Sequence, residues 1–397
     1  QMYCNNIILL LWLTIPQISG FVTEFGRICQ SKWISQSPKS DPTLVGWSSS
    51  CRRSAISSSK QDDTVIFQNE NDFNVNFHSH ISYWNFRDKY PIAVDVTTTT
   101  VTFDKTTPNV AILIHGFAAS STYWRETKHF LASMGYTVHC LDLLGQGKSS
   151  KPGRRNDDDD GIVYSISLWA ELVNAYIQSE IPKNAKIILC GNSLGSLIVL
   201  STITGDFQKN RMPPTKTIDD IPISLPSWIH QCQGICFFNC AGGLNSRGIV
   251  KEEQWTPLQR FCINTILDIW NILIFKNVNL LQYVLDNVVT KDLLRNALQS
   301  LYTHDPNRVD DELVDSFYDP SQDTGAADVL SQIYTNDPGA TPMQLHRWYI
   351  DASTSSKYLR NLPIHLIWGD TDVVTPLSGG VGQFYFQMAT ESAKAAT

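Results

Sequence analysis

The 397-residue sequence lacks three features that would assign it to a specialised class of protein. It has no run of about 20 apolar residues, the length that a membrane-spanning helix needs, so we expect no transmembrane helix in the mature protein. Its formal net charge of −7 excludes general nucleic-acid binding, because phosphates require a basic surface. Its nine cysteines lack the close paired spacing of zinc sites and disulfide frameworks. We therefore predict no metal, no cofactor and mostly buried, reduced thiols.

Residues 1–60 differ in composition from the rest of the chain. They hold six basic and two acidic residues, whereas the remainder holds 25 basic and 36 acidic ones. The apolar run Ile7–Ile18, followed by Ser19 and Gly20, is typical of a secretory signal peptide, although no basic residue precedes it. The Ser-rich basic stretch after Phe21 is typical of a transit peptide. We predict a two-part plastid presequence, with a plain signal peptide, a disordered linker and the secretory pathway as the alternative.

Beyond about residue 64, apolar runs alternate with helical patterns. The predicted strands are Val110–Ile114, Tyr136–Leu141, Lys186–Cys190, Gly234–Phe238 and Ile364–Trp368, preceded by alternating patterns at Phe73–Phe77 and Tyr90–Val96. The predicted helices between them are Thr122–Met134, Ser167–Ile181 and Leu194–Thr204. Strands that are apolar throughout and separated by helices predict a mainly parallel, doubly wound sheet.

Residues 244–360 interrupt this alternation, because they contain helical patterns and no convincing strand. We predict that they form a helical cap above the sheet. The expected domains are a presequence at 1–60, the first part of the core at 61–243, the cap at 244–360, and an incomplete second part of the core at 361–397. The apolar helix predicted at Leu258–Phe275 is interpreted as cap core, with a groove for a long alkyl chain as the alternative.

The segment Gly191–Gly195, Gly-Asn-Ser-Leu-Gly, lies between a predicted strand and a predicted helix. In that context Gly-x-Ser-x-Gly is the nucleophile elbow of the α/β-hydrolase fold. The sharp turn would present the Ser193 hydroxyl at a helix N-terminus, and a side chain at Gly191 or Gly195 would collide with the neighbouring strand or helix. Ser193 is therefore the predicted nucleophile, and Asn192 supports the elbow.

A second motif, His115-Gly116-Phe117, directly follows the predicted strand Val110–Ile114. In this fold the loop at that place supplies one backbone N–H of the oxyanion hole, and the residue after the nucleophile supplies the other. By position the two donors are Phe117 and Leu194, and Gly116 permits a close approach to the substrate. His115 is interpreted as a brace for the loop, with a catalytic base as the alternative.

A carboxylate is expected at the end of a late strand, because the triad order of this fold is serine, acid, histidine. Asp370 and Asp372 both follow the strand predicted at Ile364–Trp368, and the spacing to Pro376 favours Asp372. The 25 residues after Asp372 contain no histidine. We expect either a triad histidine beyond residue 397, in a longer active protein, or a non-catalytic binding protein that has lost it.

Residues 109–397 resemble the plastid α/β-hydrolases that include pheophytinase and chlorophyll dephytylase. The segments that carry the resemblance are His115–Ser120, Tyr123–Arg125, Tyr136–Val138, Leu141–Ser149, Trp169–Leu172, Gly191–Gly195, Asp310–Val314 and Tyr318–Pro320. The resemblance implies hydrolysis of a large apolar ester, such as the phytyl ester of a chlorophyll derivative, with Ser193, Asp372, Phe117 and Leu194 in the roles given above. The expected partner is thus an apolar small-molecule ester, with a pigment as one candidate and association with a membrane surface as a further expectation. A general esterase, lipase, thioesterase or carbon–carbon hydrolase of the same fold is the alternative.

Overall fold

The computed structural model describes residues 76–100, 107–153, 162–205, 225–243, 275–302, 304–337, 339–372 and 374–396. The predicted presequence at 1–60 and most of the predicted helix Leu258–Phe275 lie outside these residues. Tertiary contacts divide the chain into two compact units, Gln1–His78 and Ser79–Thr397. All elements but the first two residues of the first strand belong to the second unit.

Seven strands form one sheet in the described part of the chain. They are β1 (Phe77–Phe86), β2 (Tyr90–Thr99), β3 (Asn109–Ile114), β4 (Tyr136–Leu141), β5 (Lys186–Asn192), β6 (Cys232–Phe238) and β7 (Ile364–Ile367). Their spatial order is β1-β2-β4-β3-β5-β6-β7. β2 pairs antiparallel with β4, and every pair from β4 to β7 is parallel. The mainly parallel sheet predicted from the sequence is confirmed, with strand ends within two residues of those expected for the five parallel strands.

Ten α-helices accompany the sheet in the same described ranges. They are α1 (Arg125–Ser133), α2 (Ile166–Glu180), α3 (Leu194–Thr204), α4 (Val278–Asn287), α5 (Lys291–Leu301), α6 (Asp311–Ser321), α7 (Ala326–Thr335), α8 (Pro342–Ser355), α9 (Lys357–Arg360) and α10 (Gly380–Ala396). None of these helices combines the length and the apolar character needed to cross a membrane. The described cysteines are free thiols, and all of them except the half-buried Cys236 are buried.

The centre of the sheet holds the main core, because β3 and β5 are covered on both faces. Helix α3 follows β5 and every one of its residues is buried. A helix that is apolar all round fits such a place, and its threonines satisfy their hydroxyls locally: Thr202 Oγ1 donates to Ile198 O at 2.7 Å. The helix ends at Gly205, whose φ of 75° lies in the left-handed region. The turn between β5 and α3 therefore lies between two buried elements.

Residues 275–360 contain helices α4 to α9 between β6 and β7, and no strand in their described part. Helices α7 and α8 join the main core through Val329, Ile333, Leu345 and Tyr349. A separate small core lies around Leu313 on α6. This part of the chain is thus anchored to the main core through α7, α8 and Leu359 of α9, while α5 and α6 pack against each other. The boundaries predicted for the cap stay predictions.

Charged pairs link this helical region to the core. Arg125 Nη1 lies 3.0 Å from Asp310 Oδ1, and Arg308 pairs with Glu126. On a second contact, Lys151 Nζ lies 2.7 Å from Asp323 Oδ2, and its own side chain is buried. Exposed pairs of this kind add little stability individually. They show where the helical region contacts the core.

Candidate active site

Ser193 lies at the junction of β5 and α3 with φ 49° and ψ −115°. A non-glycine residue rarely adopts this conformation, which persists only where the surroundings hold it. Here the Ser193 N–H donates to Phe238 O at 2.9 Å, and Ser193 O accepts from the N–H groups of Ser196 and Ala241 at 3.0 and 3.2 Å. The strained bend is therefore fixed by the end of β6 and by the first turn of α3. The half-buried side chain of Ser193 follows from this bend.

The two elbow glycines have no room for a side chain. A Cβ at Gly191 would lie 2.5 Å from the backbone of Gly195, and one at Gly195 would lie 2.2 Å from Ile114 O. Both distances are far inside van der Waals contact, so β3, β5 and α3 approach one another as closely as they do only because these positions are glycine. The structure thus gives the predicted physical reason for both glycines.

The loop after β3 approaches the elbow closely. A Cβ at Gly116 would lie 3.1 Å from Ser193 Cβ and 3.0 Å from Asn192 Oδ1. Phe117 is half-buried, and Leu194 is buried as the first residue of α3. The structure therefore brings the loop of the first predicted oxyanion donor next to the predicted nucleophile. Gly116 is the residue that allows this approach.

His115 is fully buried and uses both ring nitrogens in hydrogen bonds with backbone groups. The Leu143 N–H donates to Nε2 at 3.0 Å. Nδ1 must then carry the proton, and it donates to Gly116 O at 2.7 Å. Burial lowers the pKa of His115 and so keeps the ring neutral, despite the opposing effect of the Asp142 charge. These contacts agree with the interpretation of His115 as a brace rather than a base.

Side chains of the loop after β4 hold the loop after β3. Gln146 Oε1 accepts from the Ala118 N–H at 2.7 Å. Asp142 Oδ1 accepts from the Ser121 N–H at 2.6 Å, and its other oxygen accepts from the Lys148 N–H at 2.8 Å. Ala118 has a positive φ of 58°, so the held loop is also a strained one.

Asp372 follows β7, and its carboxylate is fully engaged in hydrogen bonds. Oδ1 accepts from the N–H groups of Val374 and Thr375 at 2.8 and 2.9 Å. Oδ2 accepts from Thr375 Oγ1 at 3.1 Å and from the side-chain amide of Asn239. Asn239 directly follows β6, and β6 is also the strand that binds the Ser193 N–H. Asp372 is therefore tied to the same strand end as the nucleophile.

Asp370, the other aspartate that follows this strand, is exposed in the turn before Asp372. Asn239 was not predicted from the sequence, although it occupies the carboxyl end of a predicted strand, where sites of α/β sheets lie. Its φ of 43° is positive, and its Oδ1 accepts from the Gly369 N–H at 3.3 Å. Asn239 thereby connects the ends of β6 and β7 and orients the carboxylate of Asp372.

Aromatic side chains extend from Phe117, the residue after Gly116. The ring of Phe117 meets that of Tyr334 edge-on at 5.9 Å, and Tyr334 stacks on Phe275 at 4.0 Å. On another side, the hydroxyl of Tyr123 forms a hydrogen bond with the side chain of Asn192. Burial raises the pKa of Tyr123, so this hydroxyl stays neutral.

A cavity of about 220 Å³ lies beside Tyr123, between the core and the helical region. Phe238, whose carbonyl binds the Ser193 N–H, lines it from the core, and Tyr302 and Leu313 line it from the other side. The described residues contain no group of three or more His, Cys, Asp or Glu that could hold a metal ion. What the arrangement offers chemically is a presented hydroxyl, nearby backbone amides and a fixed carboxylate.

Comparisons with known proteins agree with this geometry. Residues 109–202, from β3 through most of α3, match the family model described as the alpha/beta hydrolase fold. A probable lysophospholipase, BODYGUARD 1 of Arabidopsis thaliana, is 35% identical over 104 residues, which cover 25% of this chain and 20% of the relative. The (lyso)-N-acylphosphatidylethanolamine lipase of Homo sapiens is 32% identical over 107 residues, or 26% and 28% of the two chains. The chain thus spans between a fifth and a third of the length of these two curated relatives.

Among solved structures, a probable hydrolytic enzyme of Pseudomonas aeruginosa is 16% identical, with a TM-score of 0.45 over 80% of this chain and 84% of that one. The family match and the sheet order establish the α/β-hydrolase fold of the chain, as predicted from the nucleophile elbow.

Proposed function

We propose that the protein is a carboxylic-ester hydrolase with Ser193 as its nucleophile. The observation that supports this most directly is the strained Ser193 facing the Gly116 loop, with 3.1 Å between the Ser193 Cβ and a Cβ built on Gly116. Strain of this kind is retained where it serves a function. The curated relatives, whose names describe a lysophospholipase and a lipase, favour the same class of reaction.

In the proposed mechanism the Ser193 hydroxyl attacks the ester carbonyl while a base removes its proton. The N–H groups of Phe117 and Leu194 stabilise the oxyanion, and loss of one such donor typically costs about 10²- to 10³-fold in rate. The base returns the proton to the leaving alcohol, and water then hydrolyses the acyl-enzyme. The triad order of the fold assigns the base to a histidine that follows the acid in sequence, and Asp372 would orient that histidine.

The proposed substrate is an ester with a large apolar part. The aromatic series Phe117, Tyr334 and Phe275 supports this, since it begins at the residue after Gly116, which approaches Ser193 closely. The names of the lipase relatives support a lipid ester, and the sequence resemblance supports a phytyl ester of a chlorophyll derivative. Action at a membrane surface and a plastid destination belong to the same proposal, and the secretory pathway is the alternative destination.

A fluorophosphonate probe tests the nucleophile. In an extended chain that carries the triad histidine, a covalent adduct should form on the peptide that contains Ser193, located by mass spectrometry. Ser193→Ala should abolish the adduct, whereas substitution of Ser201, a buried serine of the helix α3 that follows Ser193, by alanine should keep it. Equal labelling of the Ser193→Ala variant would refute the assignment. Rates on pheophytin, a lysophospholipid and a short-chain nitrophenyl ester would then rank the substrate classes.

A non-catalytic binding protein is the second candidate. The full engagement of both Asp372 oxygens by Asn239, Val374 and Thr375 favours it, because the carboxylate needs no further partner. For a binder, the probe should leave Ser193 unlabelled while an apolar ester raises the melting temperature of the protein.

A further inference from the structure

We infer that Gln146 is a positioning residue for the oxyanion loop, acting on the peptide group that follows Phe117. The inference rests on the proposed function, because it takes the Phe117 N–H as an oxyanion donor. Gln146 belongs to the loop after β4, and the Leu141–Ser149 segment that contains it gives no indication that its side chain contacts a loop 28 residues away.

Two peptide groups flank Phe117, and each is held by one side chain. The Gly116 carbonyl accepts from His115 Nδ1 at 2.7 Å, and the carbonyl and N–H of a trans peptide point in opposite directions. This bond therefore turns the Phe117 N–H away from the ring of His115. The next peptide is held by its N–H, which Ala118 donates to Gln146 Oε1 at 2.7 Å. Together the two bonds fix both backbone dihedrals of Phe117.

The bond to Gln146 is needed because the loop does not hold its own shape. Ala118 has a φ of 58°, a conformation that disfavours any residue with a Cβ. The backbone bond that closes this turn, from the Ala119 N–H to Gly116 O, is long at 3.4 Å. Without the Gln146 acceptor the turn would relax toward negative φ at Ala118. That relaxation would rotate the peptide next to the Phe117 donor.

Gln146 itself is fixed before any substrate arrives. It is buried, its backbone N–H donates to Leu143 O at 2.8 Å, and its backbone carbonyl accepts from the Ser149 N–H at 3.1 Å. The flanking Gly145 and Gly147 both have positive φ, with space for no side chain. The amide orientation is also fixed, because an N–H group can only donate and Oε1 must therefore face Ala118. Nε2 has no hydrogen-bond partner among the described residues, so the acceptor is the half of the amide in use.

The test compares two substitutions at this position. Gln146→Met keeps the length of the side chain and removes the acceptor, whereas Gln146→Glu keeps an oxygen facing Ala118. A displacement of about 1 Å at a catalytic group costs up to about 100-fold in rate. We expect Gln146→Met to lower kcat on an apolar nitrophenyl ester about 10- to 100-fold, with KM within about threefold of the wild-type value. Gln146→Glu should recover most of that loss.

Ser149→Ala is the matched control, since Ser149 Oγ donates to Asp142 O in the same loop and does not contact Phe117 or Ala118. It should lower stability while kcat of the folded protein stays near the wild-type value. Equal kcat losses in Gln146→Met, Gln146→Glu and Ser149→Ala would overturn the inference, because they would indicate a merely structural role.

Amide hydrogen exchange provides a readout that does not need catalysis. Peptides covering residues 116–121 should exchange faster in Gln146→Met than in the wild type or in Gln146→Glu. Unchanged exchange in Gln146→Met would overturn the inference. If a chain that carries the triad histidine hydrolyses no ester, the proposed function fails on its own, and the exchange data still decide whether Gln146 holds the loop.

Discussion

Gly195→Ala tests the geometry on which the elbow depends. An added Cβ would lie 2.2 Å from Ile114 O and 2.9 Å from His115 O, well inside the 3.4 Å at which ordinary contact begins. Neither oxygen can move easily, because Ile114 ends the strand β3, which runs between β4 and β5, and His115 directly follows it. The substitution must therefore displace α3, and with it the N–H of Leu194.

Overpacking of a core typically costs about 1–3 kcal/mol, and more when the neighbours cannot shift. Here the neighbours are backbone atoms of a central strand, so we expect the free energy of unfolding to fall by about 3 kcal/mol or more. A typical domain has only about 5–15 kcal/mol in total. The variant should therefore lose a large share of its stability and any activity that depends on Ser193.

Gly234→Ala is the matched control, because Gly234 lies in β6 of the same sheet and its nearest neighbour to an added Cβ is Pro363 O at 3.6 Å. It should change stability by less than about 1 kcal/mol in either direction. Urea unfolding followed by far-ultraviolet circular dichroism measures both variants. If Gly195→Ala unfolds within about 1 kcal/mol of the wild type, the close packing of strand and helix described above is wrong.

Three further outcomes are expected, each measured by urea unfolding. Burial lowers the pKa of His139 to about 4 from 6.5, so the unfolded chain binds a proton at a higher pH than the folded protein does. Stability is therefore full above pH 6.5 and should fall by roughly 3 kcal/mol toward pH 4; an unchanged slope in His139→Gln would contradict this. Lys128→Met removes the cation whose Nζ lies 2.5 Å from the Asp95 carboxylate in a mostly buried pair, and should lower the free energy of unfolding by about 3 kcal/mol. Adding Asp95→Val should restore at least half of that loss. Asn239→Asp should destabilise more than Asn239→Ala at pH 7, by repulsion against Asp372, and the difference should vanish at low pH.

The central parallel strands β3 and β5 could be predicted because burial makes each of them a nearly continuous apolar run. β1 could not be located in this way. The alternation at Phe73–Phe77 predicted a strand ending where β1 begins, and β1 continues to Phe86 with mostly exposed side chains between its ends. An edge strand of this kind is defined by its backbone pairing with β2, and no local pattern of hydrophobicity records that pairing.

The residues of the candidate site also differ in how far the sequence predicts them. Residues that act through backbone geometry, such as Gly191 and Gly195, leave a motif because only glycine fits. Asn239 and Gln146 act through side-chain amides on groups that are distant in sequence, Asp372 and Ala118. Asn239 lies in no motif, and the Leu141–Ser149 motif that contains Gln146 does not indicate which group its side chain contacts. The roles of such residues become visible only when the loops are seen together.

Backbone strain is the link between these loops. The described non-glycine residues with positive φ are Arg87 and Asp88 in the β1–β2 turn, and Ala118, Ser193 and Asn239. The last three follow the ends of β3, β5 and β6, which are adjacent strands. Each such conformation costs on the order of 1–3 kcal/mol, a large sum against the stability of a domain. Strain concentrated at the carboxyl ends of three adjacent strands and held there by buried side chains favours a binding or catalytic surface over a merely structural one.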